Sequence, residues 1–313
     1  MTLQPLQSYL GKSMDATGSV VAMLTTTMDK YGAHYLECAT GRPFATIAPV
    51  DNSALWLVPW VKPLVGLINA LKLVGSDSEV LPLPDSDSEW GDFWSVVARW
   101  LVYTPVAIGP LDRLRLWDQL EDRYYHNGGY FIVAIRQTTE GFIVHDPQGC
   151  PLRLLTVEDI IGISRTNSEM AAIRTTSTLL PISATAILEQ ALVVCDQAAK
   201  SANAGGTAIR ALAERVRQGL RVREQIALSL GLAARGLSLV RIAEFLSSVG
   251  LNGVMDDHRR VCADAHYALR HTDSDRLIKY LFALAKHEEN MDTILEAAMH
   301  SMSKQRAPCP ITE

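Results

Sequence analysis

The chain has 313 residues, 48% of them hydrophobic and 20% charged, a globular mixture with room for one large domain or two ordinary ones. With 29 Lys and Arg against 34 Asp and Glu the net charge is −5, so no overall positive field points to nucleic acid, and any basic docking surface has to be local. Cys38, Cys150, Cys195, Cys262 and Cys309 are widely spaced, odd in number and without a Cys-x-x-Cys pair, which argues against a disulfide framework or a zinc cluster.

The opening MTLQPLQSYLGKSMD lacks a basic start, an apolar core and a small-residue cleavage site, so a cytoplasmic location is expected. Ser13 to Lys30 predicts a polar entry and then an amphipathic helix, with Val20, Val21, Leu24 and Met28 at helical intervals and Gly32 as its end. The apolar window Leu55 to Val74 is broken by Pro59, Lys62, Pro63 and Lys72 and falls short of a membrane span, so no membrane partner is expected. Gly75 to Asp92, rich in Ser, Asp and Pro, predicts a loop. Trp90, Phe93, Trp94, Val97 and Leu101 then form a helical stripe. Thr104 to Gly109 predicts a buried strand, and Tyr130 to Arg136 with Phe142 to Asp146 a hairpin. Val157 to Ile163 predicts a short helix capped by Thr156.

After Pro181 the pattern turns wholly helical, with no proline until Pro308, which sets a boundary between domains 1–180 and 181–313. Helices are predicted over Ala184 to Ala202, Thr207 to Ala234, Ser238 to Val249, Val254 to Leu269 and Ser274 to Met302, followed by a short disordered tail. Such stripes with short connections favour an antiparallel bundle.

Two ordered sets of residues resemble the papain-like family that includes the butirosin acyltransferase of natural-product biosynthesis. The first is Lys12-Ser13-Met14-Asp15-Ala16-Thr17 leading into the helix. The second is Thr104 to Asp112, then Gly129-Tyr130-Phe131-Ile132-Val133, then Val144-His145-Asp146-Pro147 with Gly149 and Pro151. The resemblance covers about residues 12 to 163. It implies an α+β, papain-like domain followed by an all-helical bundle that covers the cleft and takes part in substrate selection. It also implies acyl transfer from the phosphopantetheine thioester of an acyl or peptidyl carrier protein to a small amine. The chemistry is similar to that of the condensing enzymes of lincosamide antibiotic pathways, which join a carrier-bound amino acid to an aminosugar.

The departures from that family fall on the chemistry. A cysteine at a helix N-terminus feels the positive end of the macrodipole, which favours its thiolate, and a strand histidine completes the pair. Here Ala16 stands at the cysteine position and Tyr130 at the histidine position, while Asp146 keeps the aspartate. The covalent route is closed at Ala16. Direct condensation needs only positioning, proton removal and oxyanion stabilisation. The candidate catalytic groups are then Tyr130 as acid, base or oxyanion donor, Asp146 as its partner or base, and the backbone near Ala16 and Thr17 as oxyanion donor, with Asp15 and His126 beside them. The alternative is a catalytically inactive protein of the same fold that binds or scaffolds.

Each candidate has a plainer reading. Tyr130 fits a strand aromatic and Asp146 an Asp-Pro turn former. A four-residue loop at Gln137 to Glu140 sets Phe131 opposite Asp146, whereas a one-residue bulge puts Tyr130 and Asp146 on one face. His145 alternates to the opposite side from Asp146. His34 has no visible partner, Ser13 reads as a cap, and Cys150 as an incidental turn residue. Arg210, Arg217 and Arg221, with Arg215 and Arg223 nearby, form a basic face for an acidic carrier, or a solvated face countered by Glu214 and Glu224. No phosphate loop, dinucleotide fingerprint or metal-ligand pair is present, so no protein-bound cofactor and no metal is expected.

Overall fold

The structure is a computed structural model, and it describes residues 16–25, 32–48, 57–84, 86–111, 130–147, 152–164, 170–176 and 182–305. The chain is α+β and divides into two units, Met1–Thr40 with Lys62–Ile182, and Gly41–Val61 with Ser183–Glu313.

In the first unit the β-branched and aromatic runs build a six-stranded antiparallel sheet. Its strands are β3 (Ser78–Pro82), β4 (Val106–Leu111), β5 (Tyr130–Gln137), β6 (Phe142–His145), β7 (Arg153–Leu155) and β8 (Ala171–Thr175), in the order β3-β8-β4-β5-β6-β7. The hairpin pairs Gln137 with Phe142 and Val133 with His145, and a bulge between Ala134 and Arg136 shifts the register by one residue.

Because strand side chains alternate, the sheet has two apolar faces. Val106, Ile108, Tyr130, Ile132, Ala134, Phe142 and Val144 form one core with α4 (Trp90–Leu101) and α5 (Val157–Ser164). Ala107, Phe131, Val133 and Ile173, all fully buried, alternate to the other face. On that side α1 (Ala16–Thr25) packs along β5, β4 and β8, with α2 (Ala33–Ala39) and α3 (Pro63–Leu73) against it. Gly109 is needed where β4 approaches β5: a Cβ there would meet the Tyr130 carbonyl oxygen at 2.6 Å.

Local signals explain several elements. Thr156 Oγ1 accepts the Asp159 N–H at 3.1 Å while Asp159 Oδ2 accepts the Thr156 N–H at 2.9 Å, a reciprocal cap that starts α5. Part of the segment expected as a loop, Gly75 to Asp92, forms edge strand β3 instead. Its sequence is Ser-Glu-Val-Leu-Pro with Glu79, Val80 and Pro82 exposed, and Glu79 is anchored to Arg174 on β8 at 2.8 Å. Gly32 is the N-cap of α2, and residues 26–31 lie outside the described residues.

The second unit contains α6 (Ala184–Ala199), α7 (Gly205–Arg217), α8 (Val222–Ser248), α9 (Asp256–Arg270), α10 (Ser274–Glu289) and α11 (Met291–Gln305). Three boundaries differ from the sequence expectation, one of them inside Ser274 to Met302, which breaks at Asn290 into α10 and α11. The helix predicted over Thr207 to Ala234 is split at Gly219, whose φ of 89° takes the chain out of the helix. In contrast, α8 runs unbroken through Gly236, since a single glycine costs only about 1 kcal/mol, less than its packed face returns. Segment Gly41–Val61 belongs to this unit and carries the two-stranded β1 (Thr46–Ile47) and β2 (Val58–Pro59). It lies against α8: a Cβ on Gly231 would meet the Leu57 backbone nitrogen at 2.6 Å.

Among the described residues one helix, α8, is long and apolar enough to cross a membrane by length and composition. Its buried face carries Arg235, which is ion-paired within the bundle.

Candidate functional site

The sheet and α1 decide which polar groups can meet. Thr175 Oγ1 donates to the Leu24 carbonyl at 3.4 Å, so the C-terminal end of α1 rests beside the end of β8, on the face of Ile173 and Val133. His145 is the cross-strand partner of Val133, and cross-strand partners share a face. The histidine therefore lies on the side of α1. It is 7% exposed, and burial pushes its pKa below the ordinary value. Its Nδ1 accepts the N–H of Leu152 at 3.2 Å, which leaves the proton of the neutral ring on Nε2. Leu152 adopts φ 58°, a left-handed conformation that a leucine reaches at a cost.

Tyr130 and Asp146 are not on that side. Tyr130 is 3% exposed within the core made by α4 and α5. Continuing the bulged register by one residue sets Asp146 opposite Ile132, on the Tyr130 face, and Asp146 is fully buried. The bulge thus brings the tyrosine and the aspartate to one face, as the one-residue-bulge alternative expects, and that face is opposite α1. The bulge at Ile135, where two residues of β5 face one of β6, reverses the simple alternation count. Ala16 is the first residue of α1. Asp15, His126, Ser13 and Cys150 lie outside the described residues. His34 stacks edge-on against Tyr35 at 5.6 Å.

The arginines of the basic face have local carboxylate partners. Arg210 forms a two-point pair with Glu289 at 2.8 and 2.6 Å, and Arg217 binds Glu214 at 2.7 Å and lies over Phe282. Arg215 binds Glu224 at 2.8 Å. Arg221 begins α8, its backbone N–H donating to Glu224 at 2.7 Å. The break at Gly219 separates Arg221 from the other three, and carboxylates of the same unit neutralise those three locally.

A second polar cluster went unread in the sequence. Arg235 on α8 pairs with Glu288 on α10 at 2.6 and 2.9 Å, and both side chains are 0–1% exposed. Arg235 also donates to the Pro43 carbonyl, and Glu288 receives His258 Nε2 of α9 at 3.1 Å. His258 stacks on His287 with centroids 5.3 Å apart. The available signal was an arginine inside the apolar run Leu228 to Val240, where an ionised group has to find a buried partner.

Burial dominates at His258 and lowers its pKa despite the attraction of Glu288, with Arg235 and His287 pushing the same way as burial. At Glu288 burial works upward, but Arg235 and His258 outweigh it and hold the carboxyl well below the usual range. Both groups bind protons more weakly folded than unfolded, so stability is full above pH 6.5 and is lost as pH falls. The loss begins through the histidine just below 6.5 and continues through the carboxylate below 4.5. Urea midpoints measured between pH 8 and pH 4 should decline only on the acid side, by at most about 1.4 kcal/mol per pH unit for each proton taken up. A midpoint independent of pH over that range contradicts this account.

No protein-family model and no curated protein matches the chain. Among the described residues no group of three His, Cys, Asp or Glu could hold a metal ion.

Proposed function

We propose that the first unit is a papain-like acyl-transfer domain, and that the chain condenses a carrier-protein thioester with a small amine to form an amide, without an acyl-enzyme. The observation that carries this reading is the position of α1, which begins at Ala16 and lies on the His145 face of an antiparallel sheet. A ten-residue helix is about 15 Å long, which matches four or five strand residues. With Leu24 tied at Thr175, a helix laid along the strands towards the start of β5 begins near Phe131, two residues beyond Val133 and its partner His145.

In this reading the first-turn N–H groups of α1 and the Nε2–H of His145 stabilise the oxyanion that forms when the amine attacks the thioester carbon. The C–N bond forms, the C–S bond breaks, and the proton lost by the amine ends on the departing phosphopantetheine thiol. The donor already carries the activation, so no nucleotide is consumed. The carrier is an acyl or peptidyl carrier protein, the acceptor a small amine such as an aminosugar, and the setting cytoplasmic natural-product biosynthesis.

Incubation with a panel of acyl-carrier thioesters and an amine pool, read by mass spectrometry, tests the reading. Amide should appear only when donor and amine are both present, with no acyl group on the protein. A stoichiometric acyl-protein adduct without amine overturns the direct route. The second reading, a non-catalytic binding protein of the same fold, is favoured by the burial of Tyr130 and Asp146 in the opposite core. It predicts carrier binding with no product from any donor and amine.

A further inference from the structure

Helix α8 is apolar on two opposite sides. Its packed face carries Leu228, Leu232, Leu239, Ile242 and Phe245, each at most 1% exposed. The other side carries Val222 (71% exposed), Ile226 (46%), Leu230 (44%) and Leu237 (65%). At about 100° per residue these four fall within an arc of about 80°, and Ala233 and Ala234, both exposed, lie on or beside it. An apolar stripe that runs from Val222 to Leu237 is not what a solvated helix face displays. A groove of about 560 Å³ between α8 and α9 opens beside it and shares Ala233, Leu237 and Val240 with the stripe.

We infer that the stripe is covered by α8 of a second copy of this chain, packed antiparallel about a two-fold axis between Ala233 and Ala234. In that direction the centre of the stripe and its charged ends are complementary, while Ile226 meets Arg241 of the second copy, whose aliphatic stem can cover it. Pairing Ala233 with Ala234 sets Leu230 beside Leu237 of the second copy, and Arg223 beside its Glu244. Arg223 and Glu244 are exposed at opposite ends of the stripe. A parallel pair would instead set arginine against arginine and glutamate against glutamate, so charge selects the antiparallel arrangement. The small residues at the axis let the helices approach, and an isologous contact closes as a dimer.

One helix face about 35 Å long and 10 Å wide offers on the order of 350 Å², below the roughly 800 Å² per partner of a tight complex. Even with Tyr267 of α9, which is 62% exposed, as a flank, the dimer forms in the micromolar range. Glu244 also pairs with Arg241 of its own helix at 2.6 Å, where the arginine is largely buried and the carboxylate exposed, so Glu244 is shared between Arg241 and Arg223 of the second copy.

Sedimentation equilibrium of the full chain from about 1 to 200 μM tests this. The native chain should pass from monomer to dimer in that range. Leu230→Asp with Leu237→Asp should raise the dissociation constant about 100-fold or more with unchanged helical circular dichroism. Arg223→Glu should weaken the dimer, and Arg223→Glu with Glu244→Arg should restore it, an arm that stays decisive if the double aspartate misfolds. A chain that stays monomeric at 200 μM, or a charge swap that restores nothing, overturns the inference. So does flotation of the native chain with phosphatidylcholine–phosphatidylglycerol vesicles that Leu230→Asp with Leu237→Asp abolishes, since a bilayer would then be the cover.

Discussion

Glu288→Ala is expected to destabilise the helical unit by about 3–5 kcal/mol, because it removes one side of a buried ion pair and leaves the other charged. Arg235 would keep only the Pro43 carbonyl, and His258 Nε2 would lose its acceptor. A domain of ordinary stability has about 5–15 kcal/mol in total, so the variant should unfold at a much lower urea concentration. The contrast that isolates the cause is the double change Arg235→Met with Glu288→Met. With both charges gone no ion is stranded, and the loss should shrink to a fraction of the single variant's or change sign. If Glu288→Ala costs no more than a surface substitution, roughly 0.5 kcal/mol, the pair is not the latch between α8, α10 and segment 41–61 that the geometry describes.

The parts of the fold that could be read in the sequence are those where local chemistry and tertiary position agree. The hairpin of β5 and β6, the stripe of α4, the Thr156 cap and the start of the helical half follow from alternation, helical spacing and a capping side chain. Edge strand β3 was hidden because it is a five-residue segment inside a run rich in Ser, Asp and Pro, and its pairing with β8 is a contact across about ninety residues that no local pattern encodes. The long helix α8 was divided at Gly236 because propensity was allowed to outweigh burial on its packed face. Joining Thr207 to Ala234 made the opposite error at Gly219, where the left-handed turn separates Arg221 from Arg217.

At the candidate site the limiting quantity was a single residue of register. Without the bulge at Ile135, counting from the turn reverses the face of every residue before it in β5 relative to β6, and with it the choice between Tyr130 and His145. The resemblance directed attention to the residue at the head of β5, where its family keeps a histidine. This chain carries a histidine, His145, on the neighbouring strand, and the sheet turns it to the side of α1. The buried Arg235–Glu288–His258 cluster joins three helices and so could be announced in the sequence only by an arginine in an apolar run.

His145→Ala is expected to lower kcat/KM for amide formation about 10²–10³-fold, the usual loss when one donor to an oxyanion is removed. The prediction rests on the hydrogen bond from the Leu152 N–H to Nδ1, which places the ring proton on Nε2 and makes the neutral side chain a donor, not a base. His145→Gln supplies a discriminating substitution, since its amide nitrogen can donate near the Nε2 position but cannot take a proton at neutral pH. Retention of activity within about tenfold of native in His145→Gln supports the donor role. A glutamine variant as inactive as the alanine one points to general-base chemistry instead. Tyr130→Phe serves as the matched control on the opposite face: with its ring buried among the α4 and α5 side chains, turnover should change by less than about threefold, while stability falls by about 1 kcal/mol if the hydroxyl is hydrogen-bonded in the core. Should Tyr130→Phe abolish turnover while His145→Ala leaves it intact, the chemistry belongs to the α4 face of the sheet, and the assignment to the α1 face is wrong.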